Sequence, residues 1–259
     1  MKRELYDLTD EPFLMFTNRV GQVLGRESII HNIVGGTAVQ SYLFYMLCKI
    51  HNSTIQGLIS DQSVRVQDYI RSTDDIDVAI RLEEEEDIDK IKRINKVVSE
   101  LPFEEISPNG QYIVEVRAGR IGASRPTFRV YVDSKGSDQE VIAMNISRGQ
   151  PGSLKKLDDK WYNPFLDNSQ SLEVSYNEEY SLKIKVCRLE HILSTKIAAG
   201  RAKDFMDNKN LVDLAKEINY PIDFKIIEKI LMPMHTDAYG HFIHSHYRDY
   251  HFKKRVRNF

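Results

Sequence analysis

Apolar positions along this chain change rhythm several times. Residues 12–25 (PFLMFTNRVGQVLG) space their apolar side chains as a helix does. Residues 29–34 (IIHNIV) are a short apolar run stopped by Gly35 and Gly36, which predicts a buried strand. Thr37 is then expected to cap a helix whose apolar residues run from Ala38 to Ile50. Residues 52–70 are polar and mixed, an excursion between elements. Residues 76–82 (IDVAIRL) alternate with period two and predict a second strand. An amphipathic helix is expected over 87–101, using Ile88, Ile91, Ile94, Val97, Val98 and Leu101. Three β-like segments follow at 111–117, 127–133 and 140–147. Residues 148–171, rich in Gly, Pro, Asn and Asp, read as a long loop anchored by Trp161 and Tyr162.

Beyond that loop the pattern turns helical. Residues 188–199 predict a helix stopping near Gly200, and 204–218 and 222–232 predict two more. Strands come first and helices last. The expected fold class is α+β: a mixed sheet flanked by helices, followed by a C-terminal helical region. The expected division is a catalytic domain over 1–175 and a helical region over 176–259 that completes the site. No internal repeat or low-complexity segment stands out.

Composition narrows the functional classes. Of 259 residues, 41% are apolar and 29% charged, enough for a core and a solvated surface. The net charge of −2 provides no global attraction to nucleic acid or membrane. Charge is uneven, though: residues 83–89 (EEEEDID) are acidic, and the last twelve residues carry five basic groups. The acidic run suits a solvated helix start. Cys48 and Cys187 lie far apart in apolar surroundings, as reduced thiols in a cytoplasm would. No stretch approaches the roughly 18 apolar residues of a membrane span. The N-terminal MKRELYDLTDEP lacks the apolar run of a signal peptide. A cytoplasmic protein without a membrane partner is expected.

Candidate chemistry begins at residues 71–80, RSTDDIDVAI. Residues i and i+2 of a strand share a face, so Asp75 and Asp77 would project together. Two carboxylates so close repel each other, and a divalent cation relieves that repulsion. Such a pair suits Mg2+, which keeps further positions for phosphate oxygens and water. A one- or two-ion site of this kind can activate a hydroxyl and stabilise a leaving pyrophosphate. A second DxD, Asp87/Asp89, lies inside the acidic run and reads as surface charge. Upstream, VGGT at 34–37 follows a strand and opens a helix. Glycines admit a phosphate close to the backbone, and the helix N-terminus supplies free N–H groups.

Strand, GGT, helix, then R-x-T-x-D-I-D on the next strand resembles the nucleotidyltransferase superfamily that includes DNA polymerase β. The matching residues are Gly35, Gly36 and Thr37, then Arg71, Thr73, Asp75, Ile76 and Asp77. Residues 189–214 (LEHILSTKIAAGRAKDFMDNKNLVDL) are similar to the AbiEii/MenT branch, toxin-type nucleotidyltransferases of type IV toxin–antitoxin and phage-defence systems. The resemblance implies that Asp75 and Asp77 bind metal and that Gly35, Gly36, Thr37, Arg71 and Thr73 seat a nucleoside triphosphate. It implies that Lys196 is the catalytic lysine, and that Asp204 and Asp207 are the acids of a basic-Asp-x-x-Asp motif. Lys196 would neutralise phosphate charge, and Asp204 would orient it or help position the incoming hydroxyl. The implied acceptor is RNA, most simply a tRNA 3′ end, with a cognate antitoxin as partner.

The superfamily often carries a third carboxylate on a later strand. At the matching place, on 140–147, this chain offers Asn145. The third acid is then Glu115 or Asp133, or the site works with two. Two other readings stay open: transfer to a small molecule such as an aminoglycoside or to a protein, and a nucleotide-binding regulator without catalysis. In the tail, His241, His244 and His246, with His235 and His251 nearby, suit a solvated or pH-sensitive surface. Arg248, Lys253, Lys254, Arg255 and Arg257 interleave with Tyr247, Tyr250, Phe252 and Phe259. That mixture fits RNA, and fits equally a helix packing its aromatics on the body of the protein.

Overall fold

The computed structural model describes residues 8–9, 11–26, 28, 30–73, 75–80, 113–118, 127–133, 138–148 and 166–231. The expected helix at 87–101, the acidic run, Trp161, Tyr162 and the His- and Arg-rich tail lie outside the described residues.

The chain opens with α1 (Glu11–Arg26), β1 (His31–Val34) and α2 (Gly35–His51), then α3 (Ile55–Ser60) and a 3-10 turn at Val66–Asp68. Five strands follow the excursion in turn: β2 (Asp75–Ile80), β3 (Ile113–Ala118), β4 (Thr127–Asp133), β5 (Asp138–Arg148) and β6 (Ser169–Ser175). The hairpin partner β7 (Ser181–Cys187) leads into α4 (Leu189–Ala199), α5 (Ala202–Glu217) and α6 (Phe224–Leu231). The strands form one mixed sheet in the order β3-β4-β5-β2-β1-β7-β6. β1 runs antiparallel to β2 and parallel to β7, and β2 runs parallel to β5. The fold is α+β, with helices flanking a mixed sheet and a helical C-terminal part.

Two strands depart from expectation. β6 and β7 carry apolar residues at alternate positions (Leu172, Val174; Leu182, Ile184, Val186), which are buried, while their neighbours Ser171, Glu173 and Lys183 are exposed. That alternation marks a sheet with one face on the core. The sheet therefore extends to Cys187, and residue 175 stands at the turn of a paired hairpin.

The main core lies on one face of the sheet, and Ala79 with Leu166 forms a small second cluster. Ile33 of β1, Ile76 and Val78 of β2 and the inward residues of β6 and β7 pack with buried residues of the six helices among the described residues. At its centre runs α2, which buries Ala38, Val39, Tyr42, Leu43, Phe44, Met46 and Leu47. A helix apolar nearly all round is stable only when enclosed. Thr37 does not cap it. The helix starts at Gly35 with Val34 as N-cap, and Thr37 is buried inside the first turn. Gly35, at φ +65°, turns the chain straight from strand into helix, so no separate capping residue intervenes.

Cys48 and Cys187 are free thiols, and burial pushes Cys48 up to about 12. Among the described residues, no helix is long and apolar enough to cross a membrane. One buried titratable group makes stability pH-dependent. Burial, and then the Arg188 guanidinium, push His191 of α4 down from 6.5 to about 4. The unfolded chain therefore takes up the proton first as pH falls. This contribution is intact above 6.5 and is lost between 6.5 and about 4, amounting to on the order of 3 kcal/mol. Urea unfolding across that window should show a falling midpoint in the wild type and a flatter profile in His191→Gln.

Candidate active site

Two clusters built from opposite ends of the chain make the site. The first forms where β1 hands over to α2. The antiparallel register sets Val34 opposite Asp77, so the end of β1 lies beside the middle of β2. The Asp77 carboxylate then packs directly on the glycine turn: a Cβ on Gly35 would fall on Asp77 Oδ2 and lie 3.0 Å from its Cγ. A Cβ on Gly36 would come within 2.7 Å of Thr73 Oγ1. Both glycines are thus places where a side chain from the β2 segment touches backbone. Gly35, Gly36, Thr73 and Asp77 are brought together at the N-terminus of a 17-residue helix, a place of positive potential and free N–H groups.

Register also resolves the question of a third carboxylate. Asp75 stands opposite Ala143 and Asp77 opposite Asn145 on β5. Thr127 of β4 is the next residue in that row. Asp133 and Glu115 fall in rows near the other end of β5, opposite Asp138 and, through Tyr131, Glu140. At about 3.3 Å per residue and about 4.8 Å per strand, both are more than about 15 Å from Asp77. Neither can share an ion with it within the sheet. The position beside Asp77 belongs to Asn145, so among the described strand positions in the Asp75 and Asp77 rows the acids are the two of β2.

The second cluster is built by two helix ends. Gly200, at φ +63°, closes α4 by donating its N–H to the Lys196 carbonyl at 3.1 Å. The next helix starts at Ala202, so Lys196 in the last turn of α4 meets the first turns of α5. Lys196 Nζ donates to Asp207 Oδ2 at 2.7 Å and pairs with Asp204 Oδ1 at 3.1 Å. Arg201 grips Asp204 through Nε at 2.6 Å and Nη2 at 3.0 Å, and donates its backbone N–H at 3.2 Å. Arg71, from the segment before β2, forks onto Asp207 through Nε at 2.8 Å and Nη2 at 2.7 Å. The result is an alternating chain, Arg201–Asp204–Lys196–Asp207–Arg71.

Charges are matched to burial here. Asp204 is 0% exposed, Asp207 2% and Lys196 4%, so each needs a close partner of opposite sign. Burial alone would raise the Asp204 pKa. Hydrogen bonds from Arg201 and Lys196, with their charges, outweigh it and hold Asp204 below the usual carboxylate value. The Asp204 hydrogen bond chiefly raises Arg201, and the charges of Asp207 and Asp77 add to this. Asp77 therefore lies within electrostatic reach of the α5 N-terminus, and the two clusters adjoin.

The geometry sorts the expected roles. Both Asp204 oxygens are occupied by Arg201 and Lys196, so its carboxylate is committed to these two side chains. Asp207, which sequence reasoning marked only as the second acid of the motif, is the hub between Lys196 and Arg71. Arg201 belongs to the same stretch but was given no role in the site. The signal for both was present: Arg201, Asp204 and Asp207 are spaced by three, which stacks them on one helical face.

Asp75 and Asp77 occupy alternate positions of β2, and carboxylate oxygens are the hard donors magnesium takes. Among the described residues no three His, Cys, Asp or Glu side chains converge on one point. An ion held by β2 would complete its coordination with substrate oxygens and water.

No family model matches the chain. No curated protein matches it. Among solved structures the chain is similar to the crystal structure of JHP933 from Helicobacter pylori, at 12% identity, covering 93% of this chain and 89% of that one, with a TM-score of 0.41. A likeness at that level carries no argument about what this chain does.

Proposed function

We propose that the protein is a metal-dependent nucleotidyltransferase. One observation carries this: the Asp77 carboxylate rests on the Gly35 turn at a helix N-terminus, and Arg71, two residues before the Thr73 that touches Gly36, shares Asp207 with a buried lysine. Triphosphate oxygens would lie over the glycine turn, where backbone N–H groups and the helix dipole favour them. Lys196 and Arg71 offset their charge. A magnesium ion on Asp75 and Asp77 would supply further charge neutralisation. In the transfer, the acceptor hydroxyl oxygen bonds to the α-phosphorus. The bond from that phosphorus to the bridging oxygen breaks, pyrophosphate leaves with the electron pair, and the hydroxyl proton passes to solvent. The acceptor we favour is RNA, with the tRNA 3′ end first. Transfer there would stop translation, as in a type IV toxin–antitoxin or phage-defence system, and a cognate antitoxin would restrain it.

A second reading has its own observation. The residue in register with Asp77 is Asn145, an amide that neither adds charge nor takes a proton. That favours a nucleotide-binding regulator without catalysis. Incubation with labelled nucleoside triphosphates, magnesium and total RNA separates the readings. Labelled tRNA supports the proposal. Label on a protein or small molecule moves the acceptor elsewhere, and retention of nucleotide without transfer supports the regulator. Absence of both binding and transfer removes the assignment.

A further inference from the structure

We infer that Asp207 is a positioning residue that locks Arg71 and Lys196 into one phosphate clamp, an inference resting on the nucleotidyltransferase reading. Its carboxylate uses both oxygens on Arg71 and one of them also on Lys196. Two cations that would repel each other are thereby held side by side by one buried anion. Arg71 is fixed at its other end too, because its carbonyl accepts a hydrogen bond from Gln40 Nε2 of α2 at 2.9 Å. Two residues later Thr73 touches Gly36, so Arg71 starts within roughly 7 Å of that contact. The clamp is therefore tied to the glycine turn and to α5 at once.

The Arg71 side chain is 32% exposed although its Nε edge is committed to Asp207. Its Nη1 end makes only a long 3.4 Å contact with the Ser72 carbonyl. A guanidinium pinned by one edge presents its remaining donors in a fixed plane, the geometry that recognises a phosphate oxygen pair. Lys196, a compact cation, donates to the same Asp207 Oδ2 that accepts from Arg71 Nη2. The chain Arg201–Asp204–Lys196–Asp207–Arg71 sums to one positive charge. Loading a triphosphate would draw on that excess without unpairing either buried acid.

The test is a double-mutant cycle read by two measurements: affinity for a fluorescent, non-hydrolysable nucleoside triphosphate, and kcat/KM for transfer. Asp207→Asn keeps the volume and removes the charge. It should lower kcat/KM on the order of 10²-fold, since a small misplacement of a clamp costs that much, with weakened analogue binding. Arg71→Ala should do the same. The double variant should be scarcely worse than Arg71→Ala, because the two residues act as one unit. Arg71→Lys, which keeps the charge and loses the fork, should not restore activity, and it tests the clamp if Asp207→Asn fails to fold. Losses that multiply in the double variant would overturn the inference, as would an Asp207→Asn protein within twofold of wild type in both measurements. Full activity in Arg71→Lys would overturn it too. A wild-type protein that neither binds nor transfers nucleotide would instead sink the function reading, and this inference with it.

Discussion

Asp77→Asn is expected to abolish nucleotide transfer while leaving the protein folded. The substitution keeps the shape that packs on Gly35 and removes the charge that would hold a cation. The flanking Ile76 and Val78, which anchor β2 in the core, are untouched. Transfer should fall by at least about 10³-fold, equivalent to about 4 kcal/mol of transition-state stabilisation. Asp77→Ala should be equally inactive. Single-turnover transfer with labelled nucleotide, paired with thermal unfolding by circular dichroism, checks both halves. Undiminished transfer in either variant would remove Asp77 from the metal site.

Gly35→Ala should damage fold and function together. The backbone there has φ +65°, a region that costs a residue with a side chain about 1–2 kcal/mol. The new methyl would also occupy the place of Asp77 Oδ2, so the carboxylate must leave or the turn must open. Unfolding should occur several degrees lower, and transfer should be lost. Gly36→Ala meets the Thr73 side chain, with Oγ1 at 2.7 Å and Cβ at 3.1 Å, but lies at ordinary φ, so its stability loss should be smaller. Gly25→Ala, in α1 with nothing within 4 Å, serves as control. It should be neutral or stabilising by up to about 1 kcal/mol. Equal melting temperatures for Gly35→Ala and Gly25→Ala would contradict the packing described here.

Local pattern revealed most elements because local pattern is what creates them. Period-two alternation in β2 and β4, helical spacing in α1 and α5, and a glycine after α4 each follow from chemistry within a few residues. The hairpin of β6 and β7 obeyed the same alternation and was passed over. Its segments are short and follow a loop-like stretch, and a strand is confirmed only by the neighbour it pairs with. Thr37 misled for the converse reason. Threonine favours a cap in isolation, but with a glycine at positive φ the helix starts three residues upstream.

By itself, the order of residues determined which side chains this protein has for chemistry and the elements that carry them: the glycine turn, the β2 acids, the lysine and acids of α4 and α5. Only the tertiary structure decided which of them meet. Val34 stands across from Asp77, Asn145 rather than an acid stands beside it, and Asp207 joins Arg71, 136 positions away, to Lys196. Contacts of that kind depend on strand register and on the burial of charge. Both are settled by the free energy of the whole packed core, not by any window of sequence.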